Sequence, residues 1–314
     1  MSPHGKLGIS ISSPNHFLRE GITDHLEYAR WIEALGFDMI TLGEHVLVTG
    51  EVVRRGIKTW YRPDVIWPDA LVMLGALATV TSRVRLATSI FIAPFRPAAV
   101  MAKMAATVDC LSRGRLTLGV GSGWLRPEFE GLGIPFESNV QRMDDAIRAC
   151  RVLWTQTPAS FHSETVNFED VWCLPQPVQP GGPPVLLAGH PGPKLARRIA
   201  ELADGWIIEG RPGEEAAEER EILVRSIEEI REAFVAAGRD PATVQFQIGA
   251  KVRRNAEGEA DEDHLYRRIE GHWEIGMTQV QVSLADLVHR PEDVRPFLER
   301  IARAYSLEPA VSAP

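Results

Sequence analysis

Two kinds of segment alternate along the chain. Short apolar runs rich in β-branched residues are followed by longer stretches whose apolar residues recur at helical spacing, and these patterns indicate strands and amphipathic helices. Eight strands are predicted at Leu7–Ile11, Met39–Gly43, Val84–Ile92, Arg115–Val120, Val185–Ala188, Trp206–Ile208, Val244–Val252 and Gln279–Leu284. Eight helices are predicted at Thr23–Leu35, Asp69–Val80, Pro97–Leu111, Val140–Trp154, Lys194–Leu202, Glu214–Ala237, Asp261–Ile275 and Pro291–Ala304.

This alternation predicts a parallel sheet, because each return to the sheet needs a crossover connection. About eight strand–helix units suit a closed barrel better than an open sheet. We therefore predict that residues 1–314 form a single domain, a (β/α)8 TIM barrel, with a doubly wound sheet as the competing fold. Residues 156–183 break the rhythm with five prolines and two adjacent glycines, so we expect an insertion before strand 5 with room for a small hairpin.

The composition narrows the class of protein. The formal net charge is −8 and no Lys/Arg cluster is present, which argues against nucleic acid or an anionic membrane as the main partner. No apolar run is long enough to span a bilayer and the start lacks the pattern of a secretory signal, so we expect a cytoplasmic protein. Cys110, Cys150 and Cys173 form no Cys-x-x-Cys pair, and we expect chemically silent thiols.

In a barrel of this kind, the loops that follow the strands build the active site. Polar side chains and glycines lie within or directly after six predicted strands. They are His16 after strand 1, Glu44 and His45 after strand 2, Thr88 and Ser89 within strand 3, Gly119–Trp124 at strand 4, Gly189 and His190 after strand 5, and Glu209 after strand 6. Each residue alone is more often a hydrogen-bonded or capping residue than a catalyst, but their shared face predicts a site.

Two glycine-containing segments are candidates for binding an anionic cofactor. Gly119-x-Gly121-x-Gly123 allows close approach to the backbone, but it lacks the dinucleotide spacing and no clear helix opens directly after it, so a bulged strand end is the alternative. Gly189–Lys194 precedes a helix whose free N–H groups and positive dipole end favour a phosphate. A plain loop-to-helix turn is the alternative there.

Two other chemistries lack support in the sequence. It has no His-x-His pair and no His-Glu-x-x-His run, so we expect no metal site. Gly121-Ser122-Gly123 does not have the spacing of a nucleophile elbow.

Several blocks resemble the luciferase-like monooxygenase superfamily. They are Ala34–Asp38 followed by Glu44-His45, Arg83–Thr88 with Ala102-Lys103 and Ala106–Asp109, Leu111–Trp124 continuing to Glu128-Phe129, Gly133 and Arg142, and Ala188–His190 followed by Leu202–Trp206. The block at Leu111–Trp124 is the most specific, and together the blocks cover roughly residues 7–210.

The resemblance implies a (β/α)8 barrel that binds either flavin mononucleotide (FMN) or the deazaflavin coenzyme F420. The Glu44-His45 pair, the glycine run and Gly189-His190 look like the F420-dependent branch, whereas FMN enzymes often have a Gly-Ser or Ser-Ser step after strand 5. Deazaflavin enzymes of this family often have a non-prolyl cis peptide in strand 3, which here would fall near Ser89-Ile90.

The resemblance also implies residue roles. A deazaflavin transfers hydride, so the protein must position its ring and supply an acid or base. We expect His45 to exchange the proton, because imidazole titrates near neutral pH, with Glu44 orienting it or contacting the cofactor. Cofactor binding is assigned to Thr88, Ser89, Gly121, Ser122, Gly123, Gly189, His190 and Lys194. The substrate pocket is assigned to His16, Trp60, Trp67, Trp124 and Glu209, although the tryptophans fit core or lid packing equally well.

Three alternatives stay open at the level of the sequence. The first is an FMN-dependent monooxygenase that uses reduced flavin and O2. The others are a cofactor-binding protein without catalysis and, more distantly, a metal-dependent hydrolase. The family is commonly dimeric, so we expect a homodimer acting on a small-molecule substrate, whose identity no motif encodes.

Overall fold

A computed structural model describes residues 5–12, 17–50, 54, 65–209, 216–253 and 260–309 of the chain. The strands are β1 (Lys6–Ser10), β2 (Met39–Leu42), β3 (Arg85–Ile92), β4 (Leu116–Gly121), β5 (Ala159–His162), β6 (Asn167–Val171), β7 (Val185–Ala188), β8 (Gly205–Glu209), β9 (Gln245–Ala250) and β10 (Gln279–Ser283). The helices are α1 (Asp24–Ala34), α2 (Ala70–Val80), α3 (Ala98–Leu111), α4 (Arg126–Gly131), α5 (Asn139–Thr155), α6 (Pro193–Leu202), α7 (Ala216–Ala236), α8 (Glu262–Glu274), α9 (Leu284–Leu287) and α10 (Val294–Ala304).

Eight of these strands close into a barrel in the order β1-β10-β9-β8-β7-β4-β3-β2. The first strand, β1, pairs in parallel with both β2 and β10, which closes the ring. A doubly wound sheet would leave two unpaired edges. The predicted (β/α)8 barrel is therefore confirmed, and the competing open sheet is wrong.

The ends of the predicted elements agree with the structure to within two residues, except that a 3₁₀ helix at Pro291–Asp293 precedes α10. Among the described residues, two helices were not predicted, α4 and α9, because six and four residues are too few to show a helical period. Helix α4 also corrects the expectation that no helix opens directly after the glycine run. Its sequence signals are Pro127 at the helix start and Glu128 in the first turn.

The proline-rich segment before barrel strand 5 carries the expected small hairpin. Strands β5 and β6 pair antiparallel outside the barrel, with Phe161 opposite Phe168. The X-Pro bonds at Thr157-Pro158 and Leu174-Pro175 are cis. The insertion lies between β4 and β7, away from the closed ring.

Alternate residues of the barrel strands lie in two environments. Phe246 and Ile248 of β9 belong to the apolar core between the barrel and its helices. Gln247 stands between them, so its side chain points into the barrel, because successive side chains of a strand point to opposite faces. The barrel interior thus holds polar side chains while the outer layer is apolar.

Acidic side chains satisfy backbone N–H groups at several helix starts. Asp69 accepts a hydrogen bond from the N–H of Val72 at the start of α2, and Asp261 does the same for His264 at the start of α8. Thr23, the residue before α1, makes no side-chain cap bond. None of the described helices is both long and apolar enough to cross a membrane.

Candidate active site

His45 lies in the loop that follows β2, at the carboxyl end of the barrel, and is bonded to a carboxylate from the segment that follows β4. Its Nδ1 is 2.9 Å from Oε2 of Glu128, a residue of α4. The Glu128 side chain is fully buried, and His45 is nearly so. The other oxygen of Glu128, Oε1, accepts the backbone N–H groups of Val46 at 2.6 Å and Leu47 at 3.0 Å. One carboxylate therefore holds both the imidazole and the backbone that follows it.

Two tryptophans contact the His45 ring edge-on. The ring of Trp67 is 4.9 Å away between centroids, and that of Trp124 is 6.2 Å away. Both were predicted to line a substrate pocket, and the structure brings them to the predicted acid–base residue. Trp124 is 42% exposed, so its ring does not serve as core packing alone.

Glu44 has different partners from its neighbour His45. Its Oε2 accepts the N–H of Ile92 at 2.9 Å, and its Oε1 is bonded to the guanidinium of Arg96. Burial raises the pKa of Glu44, and Arg96 opposes that shift. The carboxylate bonded to His45 is that of Glu128, so of the two roles predicted for Glu44, orienting His45 has no support in these contacts.

The middle of β3 brings a hydroxyl, that of Ser89, into the barrel beside two amides. Ser89 Oγ accepts hydrogen bonds from Nε2 of Gln281 at 3.0 Å and, more weakly, of Gln247 at 3.4 Å. The peptide bond Ser89-Ile90 is cis, as expected from the resemblance. Thr88 is fully buried, and its Oγ1 donates to the carbonyl of Gly119, so its hydroxyl is engaged in joining β3 to β4.

The glycine run spans the end of β4 and the turn that follows. Gly119 and Gly121 lie within the strand, where a Cβ at Gly121 would overlap the tip of Ile90. Gly123 has a φ of +79° and packs on Phe129, a conformation that favours glycine. Ser122 is half-buried beside them. These glycines let β4 approach the cis bond of β3 closely.

The segment after β7 lies on the same rim. Gly189 accepts a hydrogen bond from the indole of Trp206 at 3.0 Å, and His190 and Lys194 are exposed. Gly192 has a φ of +145°, which turns the chain into α6. A cavity of about 480 Å³ lies beside this turn, and its walls include His190, Pro193, Arg225 and Ser226.

The region around His45 and the region around Ser89 meet near Gly43, the residue after β2. A Cβ on Gly43 would lie 3.2 Å from the carbonyl oxygen of Ser89 and 3.6 Å from the ring of Trp67. His45 and the polar side chains around Ser89 are thus parts of one site. His16, Trp60 and the side chain of Glu209 lie outside the described residues.

Four residues of this site were given no role from the sequence. Glu128 belongs to one of the sequence blocks that resemble the family, but its role depends on a contact with a residue 83 positions away. The contacts of Arg96, Gln247 and Gln281 are likewise with partners that are distant along the chain. The two glutamines carried one signal, since each is a polar residue at an inward position of a predicted strand.

The described residues contain no group of three or more His, Cys, Asp or Glu side chains arranged to hold a metal ion.

Two curated relatives match most of the chain. An uncharacterised protein of Mycobacterium tuberculosis is 33% identical over 285 residues, which is 87% of this chain and 91% of the relative. The F420-dependent glucose-6-phosphate dehydrogenase of Mycolicibacterium gilvum is 28% identical over 261 residues, which is 81% of this chain and 70% of that enzyme.

Solved structures share the fold at low sequence identity. The monooxygenase RslO1 from Streptomyces bottropensis superposes with a TM-score of 0.76 at 20% identity, over 95% of this chain and 98% of its own. An F420-dependent secondary alcohol dehydrogenase in complex with an F420-acetone adduct gives 0.74 at 18% identity, over 100% of both chains. The profile of the family described as luciferase-like monooxygenase matches residues 6–303. The chain therefore belongs to the luciferase-like monooxygenase family, as its sequence blocks predicted.

Proposed function

We propose that this protein is an F420-dependent oxidoreductase that transfers a hydride between the deazaflavin and a small organic substrate, with His45 exchanging the accompanying proton. The observation that carries the proposal is the buried His45–Glu128 pair between Trp67 and Trp124 at the carboxyl end of the barrel. The relatives named as F420-dependent glucose-6-phosphate dehydrogenases support the choice of cofactor.

The polar side chains inside the barrel fit the ring of a flavin-type cofactor. Such a ring presents carbonyl oxygens and a ring N–H along one edge. Oε1 of Gln247 is buried and has no hydrogen-bond partner among the described residues, so it has the capacity to accept such an N–H. Ser89 Oγ and the amide of Gln281 lie beside it. These three side chains are the ones that we propose for holding the ring edge.

The rim after β7 fits the phosphate end of the cofactor. The start of α6 presents backbone N–H groups and a positive dipole end, and Lys194 and Arg225 supply positive charge nearby. Two carboxylates, Glu219 and Glu229, also line the adjoining cavity. The charge of Glu219 is offset by Arg268, whose Nη1 is 2.5 Å from it. We therefore propose Gly189, His190 and Lys194 as cofactor contacts.

His45 is the group that we propose for proton exchange with the substrate. When bound, F420 supplies or accepts a hydride but leaves the proton of an alcohol or carbonyl to a protein group. Nδ1 of the imidazole is bonded to Glu128, so we assign the proton exchange to the other ring nitrogen, Nε2. The tryptophans beside it limit the access of water to the ring.

The choice of cofactor is tested by titrating the purified protein with oxidised F420 and with FMN while recording cofactor fluorescence. We expect saturable quenching with F420 and none with FMN at the same concentrations. Binding of FMN alone would overturn the proposal. His45→Ala should bind F420 with unchanged affinity while losing ~10²–10⁴-fold in hydride transfer, once a substrate is identified.

The second candidate is an FMN-dependent monooxygenase that uses reduced flavin and O2. It is favoured by the description of the family and by the structural similarity to the monooxygenase RslO1. FMN binding, together with oxygen consumption on addition of reduced FMN, would support it over hydride transfer.

We also propose that the protein is a homodimer. Val72 on α2 and Val100 and Leu111 on α3 are exposed by 68%, 45% and 51%, and α2 is apolar on all sides. Light scattering on a sizing column should give the mass of two chains, and Val72→Lys should give that of one. Val235→Lys, at an exposed valine on α7, is the matched control and should leave the dimer intact.

A cytoplasmic location is proposed on the state of the cysteines. Cys110, Cys150 and Cys173 are free thiols, as is common in a reducing compartment.

A further inference from the structure

Glu128 is a fully buried carboxylate that is hydrogen-bonded to three nitrogens of the loop after β2. Its Oε1 is bonded to the backbone of Val46 and Leu47, and its Oε2 to Nδ1 of His45. It stands on α4, which follows β4, so it joins two loops of the rim. A carboxylate has no hydrogen to donate, and the imidazole nitrogen must therefore carry the proton of the shared bond.

We propose that Glu128 is the positioning residue of the site: it holds His45 in the tautomer protonated at Nδ1, so that Nε2 is the nitrogen directed to chemistry. The inference rests on the proposed function only in that His45 is taken as the acid–base group. The role of Glu128 in fixing the tautomer is a property of the protein itself and exists without cofactor or substrate.

The backbone contacts of Glu128 decide which of its oxygens faces the ring. Because Val46 and Leu47 are both donors, Oε1 is committed to them, and Oε2 is left for His45. In Glu128→Gln the single amide oxygen best satisfies the same two donors, which turns the NH2 group toward Nδ1. An NH2 group can only donate, so His45 should change to the tautomer protonated at Nε2.

A purely structural role predicts a different result. If Glu128 only fixed the backbone at residues 46 and 47, the tautomer of His45 would be independent of the substitution as long as the chain folds. The tautomer therefore separates positioning of the imidazole from clamping of the loop.

The test is nitrogen NMR of protein labelled with ¹⁵N-histidine, recorded at about pH 9, where an ordinary imidazole is neutral. His45→Gln identifies the His45 signals among those of the nine histidines. We expect the wild-type protein to carry the proton on Nδ1 and Glu128→Gln to carry it on Nε2. Glu130→Gln, an exposed residue of the same helix, is the matched control and should be unchanged.

Either of two results would overturn the inference: wild-type His45 protonated at Nε2, or a folded Glu128→Gln protein with the wild-type tautomer. The wild-type spectrum alone decides the point if Glu128→Gln does not fold. Because the experiment contains no cofactor, a failure of F420 to bind in the titration above leaves this result intact, and the two proposals fail separately.

Discussion

Arg96 bridges Glu44 and Asp69. Its Nη2 lies 2.5 Å from Oε1 of Glu44 and 2.7 Å from Oδ2 of Asp69. Glu44 follows β2, Asp69 caps α2 and Arg96 follows β3, so one guanidinium joins three segments of the active-site rim. The Glu44 side chain has no exposed surface, and the guanidinium of Arg96 supplies the positive charge that offsets the cost of burying its carboxylate.

Arg96→Met should destabilise the fold by about 3–5 kcal/mol, because it leaves the carboxylate of Glu44 buried without its counter-charge. Urea denaturation at neutral pH measures the free energy of unfolding. Adding Glu44→Gln to Arg96→Met should restore part of that loss, since the effects of substitutions at residues in contact are not additive.

Arg290→Met is the matched control for Arg96→Met. Arg290 also pairs with a carboxylate, that of Asp293, but the two side chains are 65% and 43% exposed. Its loss should leave the free energy of unfolding nearly unchanged. Equal destabilisation by the two substitutions would mean that the Arg96 bridge is no stronger than a surface pair.

Two glycines of β4 should respond differently to alanine. A Cβ at Gly119 would overlap the carbonyl oxygen of Thr88, which is backbone and cannot turn away. A Cβ at Gly121 would overlap only the terminal carbon of Ile90, while its next neighbours are 3.5 and 3.8 Å away. We expect Gly119→Ala to cost about 1–3 kcal/mol or more in stability. Gly121→Ala should largely keep its stability but weaken cofactor binding by displacing Ile90.

Denaturation and the cofactor titration together check these two substitutions. Gly271→Ala in α8 is the control, because a Cβ there meets nothing within 4 Å. In a helix interior that substitution should stabilise by about 0.5–1 kcal/mol. Unchanged cofactor affinity in Gly121→Ala would show that Ile90 does not border the cofactor.

The sequence was sufficient for the barrel because strand and helix signals are local. Every barrel strand was predicted to within two residues, so Glu44 and His45 were placed at the right end of β2. The same reasoning missed α4, whose six residues show no period, and with it the role of Glu128. Contacts such as Glu128–His45 and Arg96–Glu44 join residues 83 and 52 positions apart, and no local pattern encodes which distant side chain a loop residue meets.

His272 on α8 makes the stability of the fold sensitive to acid. It is buried, and its Nε2 has no hydrogen-bond partner among the described residues. Burial, helped by the positive charge of Arg268, lowers the pKa of His272 to about 4 from its ordinary 6.5. Between these two values the unfolded chain takes up a proton that the folded chain does not. Stability is therefore lost as the pH falls through this window.

His272→Gln removes this titration, so its stability should depend less on pH than that of the wild type. The shift predicts that the His272 contribution accounts for a wild-type loss of ~2 kcal/mol between pH 7 and pH 5. Urea denaturation at pH 7, 6 and 5 measures it, with His162→Gln on the exposed hairpin as the control that should keep the wild-type slope. Part of the slope should survive in His272→Gln, because burial also lowers the pKa of His25. If the wild type and His272→Gln lost the same free energy over this range, His272 would be protonated in the folded state and its assignment as a buried neutral ring would be wrong.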